Sequence, residues 1–256
     1  MCGRYGLAAT PEEVAELLGV MEIDGFPHRY NIAPTQPILA VISGERQELG
    51  SNRPDRQALL MRWGLIPGWV KDTRDFPLLI NARSETAITK ASFRAAMRHR
   101  RVLIPATGFY EWQRPAKDSS DSKAQAYWIR PKNGGVIAFA GLMETYSSTD
   151  GSEIDTGTIL TVAANPSLAR IHDRMPVIIA PEDFARWLDC KTQEPRQIAD
   201  LMVPAAEDFF EIIAVSDRVN KVSNLGPDLL EPVDAAALPA VKPKRGAADS
   251  GQMSLF

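Results

Sequence analysis

Cysteine stands at position 2 of a 256-residue chain, directly after Met1. Initiator methionine is normally removed when the next residue is small, so the mature chain is expected to begin at Cys2, with its α-amine beside its thiol. An α-amino group has a pKa of ~7.7–8.0 against ~10.4 for lysine, so its nucleophilic fraction at pH 7 is roughly two orders of magnitude larger. The thiol, with a pKa of ~8.5 before perturbation, is expected to be partly thiolate and strongly nucleophilic. Together they form a 1,2-aminothiol, whose amine condenses with an aldehyde to an imine and whose sulfur then closes a five-membered thiazolidine. Taken alone, Cys2 also fits a small apolar residue opening a strand.

Other segments decide between these readings. They are Met1-Cys2-Gly3-Arg4-Tyr5, Arg29-Tyr30-Asn31-Ile32-Ala33-Pro34, Leu79-Ile80-Asn81-Ala82-Arg83-Ser84-Glu85-Thr86, Gly108-Phe109-Tyr110-Glu111-Trp112 and Ile171-His172-Asp173-Arg174-Met175-Pro176. In this order they resemble the SRAP family, the SOS response-associated peptidases or abasic-site processing proteins. The resemblance implies a covalent trap for abasic sites in single-stranded DNA, with Cys2 as nucleophile and Asn81, Glu111 and His172 completing the active site. It also implies a peptidase activity, limited to exposing Cys2.

The implied chemistry needs groups of these types. Abasic deoxyribose is mostly a closed hemiacetal, so a proton donor and acceptor must open the ring, and loss of water from the carbinolamine needs a donor again. An imidazole such as His172 titrates near neutrality. A carboxyl among aromatics, as in Phe109-Tyr110-Glu111-Trp112, is expected to favour its protonated form. Asn81 can orient the amine or a sugar oxygen without charge. Glu111 and His172 taken singly also fit a solvent-facing strand residue and a satisfied core histidine.

For DNA, the resemblance points Arg4, Arg83 and Arg174 at phosphates and makes Pro67 and Trp69 an apolar stacking surface, including at single/double-strand junctions. Trp69 fits core packing equally, and Glu85 is close enough in sequence to pair with Arg83. Arg98-His99-Arg100-Arg101 either flanks the groove or forms a solvated helix end. Relatives often carry arginine near position 91, where this chain has Lys90-Ala91. Lys90 supplies only a point charge there.

Two other function classes share features of this chain. Class II glutamine amidotransferases also begin Met-Cys-Gly, but need glutamine-binding motifs not found here. A non-catalytic adaptor would dock through its tail. With three scattered histidines and two distant cysteines there is no metal-ligand spacing, and no glycine loop cradles phosphate, so no cofactor is expected. The net charge of -3 gives no long-range pull on DNA, although a local cationic groove would suffice. The absence of a secretory signal or membrane-length apolar run predicts a cytoplasmic, nucleoid-associated monomer.

The elements that must position these residues are mostly short strands. β-like runs are expected at 2–7, 37–42, 59–63, 102–105, 109–113, 127–130, 136–143, 159–164, 175–179 and 211–215. Thr10-Pro11-Glu12-Glu13 is a capping box opening a helix that Gly19 ends. Further helices are expected at 90–98, 181–189 and 195–201, with loops at 29–34, 64–77 and 117–123. The fold class is α+β, a single domain on a curved, mainly antiparallel sheet, barrel- or sandwich-like, with peripheral helices. It is expected to span residues 1–233. Residues 234–256 read as a disordered tail ending Gln252-Met253-Ser254-Leu255-Phe256. Gln252, Leu255 and Phe256 resemble the peptide by which bacterial repair proteins dock on the sliding clamp.

Overall fold

The computed structural model describes residues 2–44, 56–113 and 124–234. In chain order its strands are β1 (Tyr5–Leu7), β2 (Arg29–Ile32), β3 (Pro37–Ser43), β4 (Arg56–Trp63), β5 (Asn81–Arg83), β6 (Arg101–Ala106), β7 (Gly108–Gln113), β8 (Gln125–Pro131), β9 (Ile137–Ser147), β10 (Glu153–Ala163), β11 (Arg174–Pro176), β12 (Ile178–Ile179) and β13 (Phe210–Val215). The helices are short: α1 (Pro11–Leu18), α2 (Ser84–Ala87), α3 (Arg94–His99) and α4 (Phe184–Leu188). The tail with Gln252, Leu255 and Phe256, and the 117–123 loop, lie outside the described residues. No helix among those described is long and apolar enough to cross a membrane.

Two sheets form the body. β13, β8, β7, β1 and β2 make an open antiparallel sheet, while β10, β4, β3, β6 and β9 close into a ring because β9 pairs back onto β10. Closure removes the exposed edges that long β-branched strands would otherwise present. β6 is buried along its whole length, as an internal strand covered on both faces must be. The barrel is mixed rather than uniformly antiparallel, since β10 runs parallel to both β4 and β5.

Tyr5, Trp63, Phe109 and Phe139 join sheet and barrel. Tyr5 meets Trp63 and Phe139 edge-on at 5.4 and 5.8 Å between ring centroids, and Phe109 meets Phe139 at 6.1 Å. Edge-to-face contact suits the positive rim and negative face of each ring.

Local signals set α1. Glu13 N–H donates to Thr10 Oγ1 (3.2 Å), Thr10 N–H donates to Glu13 Oε2 (2.8 Å), and Gly19 takes a left-handed φ of 62°. Three expectations fail for non-local reasons. Residues 29–32 pair with β1 as a strand instead of looping. The run 175–179 splits at Val177, with β11 joining β10 and β12 joining β9. Residues 195–201 hold only a 3-10 turn at Ala199–Leu201, because Arg186 takes the carbonyl of Gln197 (2.9 Å) that a helix would use. The helix expected at 90–98 begins only at Arg94, after a turn closed on the Lys90 carbonyl.

Gly108 marks a close approach. A Cβ there would lie 2.5 Å from Trp128 Cζ2 and 2.6 Å from the Ile129 carbonyl oxygen, because the indole lies flat across the start of β7. Gly108→Ala is therefore expected to lower unfolding free energy in urea by about 1–3 kcal/mol through overpacking. Wild-type stability would mean that the Trp128 ring can retreat.

Candidate active site

β1 is three residues long, yet it lies between β2 and β7 in the open sheet, with Tyr5 opposite both Ile32 and Phe109. Tyr110 N–H donates to the Arg4 carbonyl (2.9 Å), which carries the pairing toward Cys2. Asn81 at the start of β5 completes the anchor: its Nδ2 donates to the Cys2 carbonyl at 2.8 Å. Asn81 Oδ1 is shut off from solvent and meets no donor among the described residues. Cys2 itself is fully buried.

Side chains alternate along β7. Tyr110 packs with Trp128 and Val219 on the outer face, while Phe109 faces the barrel. Glu111 shares the Phe109 face and lines a small cleft with Leu168, Ile171, His172 and Arg174. Burial pushes the Glu111 carboxyl up to about 7; the positive amino terminus pulls the other way and the charge of Asp173 adds to the rise. Burial, reinforced by the Glu111 charge, also drives the Cys2 thiol far above its ordinary range. The resting sulfur is thus a thiol, where the isolated residue would be partly thiolate.

His172 follows a 3-10 turn at Leu168–Arg170, and Gln113 Nε2 ties that turn to β7 through the Arg170 carbonyl (3.0 Å). One strand therefore carries Glu111 and fixes the segment bearing His172. Glu111 and His172 line the cleft, the Glu111 charge reaches the Cys2 thiol, and Asn81 holds the peptide of Cys2.

The expected DNA contacts are placed unequally. Arg83 is exposed at the end of β5 and makes no side-chain hydrogen bond or ion pair among the described residues. Arg174 is buried and binds Glu85 bidentately, Nη1–Oε1 at 2.6 Å and Nη2–Oε2 at 2.8 Å, with Nη2 also reaching the Thr161 carbonyl. That pair holds the Glu85 carboxyl below its usual range. The partner of Glu85 is thus Arg174, not the nearby Arg83. Arg4 Nη1 donates to Asn31 Oδ1 and to the Val219 carbonyl, both at 2.7 Å. Trp69 is 60% exposed and touches Phe76 edge-on, whereas Pro67 beneath it is buried. Core packing of Trp69 is thereby excluded. Lys90 is exposed over the Phe93 ring. In the basic run, Arg98 and Arg100 pair with Glu194 and Glu144, and Arg101 is buried against four backbone carbonyls.

Two residues here carried no assignment from sequence. Asn31, 2% exposed, accepts from Arg4 and donates to the carbonyls of Val219, Lys221 and Asn224. Asp173 lies against His172, with Oδ1 3.1 Å from Nδ1. Both stand inside the motifs quoted above, which was the only signal available. Among the described residues no cluster of three or more His, Cys, Asp or Glu could hold a metal.

Against known proteins, the profile described as SOS response associated peptidase (SRAP) matches residues 1–222. The chain belongs to this family. It is 37% identical over 236 residues to the "Abasic site processing protein YoqW" of Bacillus subtilis, covering 90% of this chain and 99% of that one. It is 33% identical over 242 residues to the "Abasic site processing protein YedK" of Escherichia coli, covering 91% and 100%. Among solved structures, a Bacteroides thetaiotaomicron protein shares the fold with a TM-score of 0.74 at 23% identity, covering 91% of this chain and all of that one. A Bordetella bronchiseptica protein gives 0.69 at 25%, covering 84% and 100%.

The raised Glu111 carboxyl links stability to pH. Below about pH 4.5 it is protonated in both folded and unfolded chains; between there and about 7 the folded chain holds the extra proton, so stability falls as pH rises. Compared with Glu111→Gln, the wild type is expected to lose about 3 kcal/mol across that window at 1.36 kcal/mol per unit. Urea titrations at several pH values measure the difference, and parallel stability curves would place Glu111 in water.

Proposed function

We propose that this chain captures abasic sites in single-stranded DNA by a thiazolidine cross-link through Cys2, after removal of Met1. The observation that carries the reading is the junction of Asn81 with the Cys2 carbonyl beside a carboxyl poised near 7. The names of the similar proteins from Bacillus subtilis and Escherichia coli support the same chemistry.

In this reading His172 protonates the ring oxygen of the closed deoxyribose and opens it to the aldehyde. The α-amine of Cys2, held by Asn81 Oδ1, attacks C1′. Protonated Glu111 gives its proton to the carbinolamine hydroxyl, which leaves as water. The imine carbon then takes the sulfur, the thiol proton passes to the Glu111 carboxylate, and the iminium nitrogen, which kept its own N–H when water left, becomes the neutral ring amine as the five-membered ring closes. A buried carboxyl near 7 can serve in both directions, which a carboxylate at its solution value cannot. The thiol stays protonated, and so protected from oxidation, until the imine forms.

Arg83 contacts backbone phosphate, with Lys90 nearby in the chain, and Trp69 stacks a base at the lesion or at a junction. Arg4 and Arg174, each tied internally with its Nε shut off from solvent, contribute fixed positive charge toward the backbone phosphates. The peptidase activity is limited to freeing Cys2. The expected tail supplies targeting, with Gln252, Leu255 and Phe256 docking on the sliding clamp of a cytoplasmic, monomeric protein.

On denaturing gels with single-stranded DNA carrying one abasic site, Cys2→Ala is expected to abolish the heat-stable shifted band while leaving weak binding intact. Full cross-linking by that variant would sink the mechanism. His172→Ala and Glu111→Ala are expected to slow single-turnover cross-linking by ~10²-fold or less, the value of one acid/base group. Two wild-type rates would make both residues structural.

Arg83→Ala is expected to weaken DNA binding and to lower the slope of log affinity against log salt by about one. An unchanged slope in a salt titration would remove Arg83 from the phosphate path.

A further inference from the structure

Among the described residues, Nδ1 of His172 meets two groups that want opposite things. The backbone N–H of Arg174 donates to it at 3.0 Å, which requires a bare nitrogen. The carboxylate of Asp173 lies 3.1 Å away, which is favourable only when Nδ1 carries a proton. Neutral imidazole has one N–H, so the choice at Nδ1 dictates the state of Nε2. If Nδ1 accepts from Arg174, Nε2 keeps the only proton, and giving it up would leave an imidazolate. If Nδ1–H is held by Asp173, Nε2 alternates between N–H in the imidazolium and a bare acceptor, as proton exchange demands.

We propose that Asp173 is a positioning residue that acts through His172: by accepting Nδ1–H it selects the ring form whose Nε2 can pass a proton to the ligand and take one back, against the Arg174 amide, which selects the inert form. The surroundings leave Asp173 able to do this. The Arg174 guanidinium is engaged by Glu85 and the Thr161 carbonyl, so it does not neutralise the neighbouring carboxylate. Arg170 Nε is turned to the Ser167 carbonyl. The Asp173 backbone is fixed by Ala164 N–H donating to its carbonyl at 3.0 Å. The other charged or titratable groups at this cleft are Glu111 from β7 and Arg174 on its wall, with the amino terminus and the Cys2 thiol coupled to Glu111 from beside it, and the charge of Asp173 reaches Glu111 as well, favouring its protonated form. Asp173 is 84% exposed, so its hold on the ring is moderate rather than absolute.

The proton path balances. The imidazolium Nε2–H bond breaks as the proton moves to the deoxyribose ring oxygen, the C1′–O bond to that oxygen opens, the C1′ hydroxyl gives its proton to solvent to leave the aldehyde, and the imidazole remains neutral with Nδ1–H on Asp173. Solvent or the next proton released in the reaction restores Nε2–H. This consequence rests on His172 being the proton donor for ring opening, whereas the tautomer itself can be read without DNA.

The test is ring-nitrogen NMR of the ¹⁵N-labelled full-length protein, with His172 assigned by comparison with His172→Ala. The wild type is expected to carry its proton on Nδ1 near neutral pH. Asp173→Ala is expected to move it to Nε2, and Asp173→Glu to return it. Single-turnover cross-linking by Asp173→Ala should fall about tenfold, with the alkaline limb of the pH–rate profile moved to lower pH and DNA affinity unchanged. The same tautomer in wild type and Asp173→Ala overturns the proposal. A switched tautomer with a wild-type rate and profile upholds the hold of Asp173 on the ring and overturns His172 as the donor.

Discussion

The first residues of a chain ordinarily fray, because nothing on one side holds them. Here they are clamped from three directions: β2 and β7 flank β1 in the sheet, the Tyr110 amide reaches the Arg4 carbonyl, and Asn81 takes the carbonyl of Cys2. Every other feature of the site depends on this clamp. Without it Cys2 would sample solvent, and neither Glu111 nor His172 would stand in fixed relation to it.

Burial of the clamped segment has an electrostatic result that reaches across the cleft. The same dry surroundings disfavour both the Cys2 thiolate and the Glu111 carboxylate, and each negative charge would further penalise the other. The resting site is therefore proton-rich. In the proposed reaction the neutral amine therefore attacks first, and the sulfur follows only after electrophilic carbon is bound. Order of attack is imposed by solvation rather than by a moving part.

What could be read from sequence was what is local. The capping box of Thr10 and Glu13 with Gly19 needs only adjacent residues, and the core strands show themselves by dense β-branched and aromatic runs. Asn81, Glu111 and His172 were recognisable because each sits in a motif, and an aromatic strand around Glu111 already implies a raised carboxyl. A barrel-like sheet was expected, but the pairings that complete it were not readable, since β10 meets β4 and β5 parallel across long sequence separations, Thr156 opposite Arg62 and Ile159 opposite Asn81. The same distance hid the Glu85 pair: Arg83 is two residues away, yet the partner is Arg174, 89 residues on. Polar Arg29-Tyr30-Asn31 read as a loop because strand patterning weighs apolar alternation, while Asn31 is buried by hydrogen bonds to three carbonyls. Nor could sequence choose between burial and exposure for Trp69, which depends on where the 64–77 loop lies over the barrel.

The pairing of Tyr5 with Phe109 also has a meaning in time. A ribosome delivers Phe109 about 100 residues after Cys2, an interval of roughly 5–20 s at ~5–20 residues per second. His172 arrives later still. Throughout that interval the growing chain bears its thiol in water, without the apolar cover that keeps it protonated or the acid and base that direct it. Small aldehydes and oxidants in the cell meet the cysteine then as they would a free one. In the proposed reading Met1 caps the Cys2 amine until it is removed, so the moment of removal, before or after β7 is made, bears on how many copies fold with a competent nucleophile.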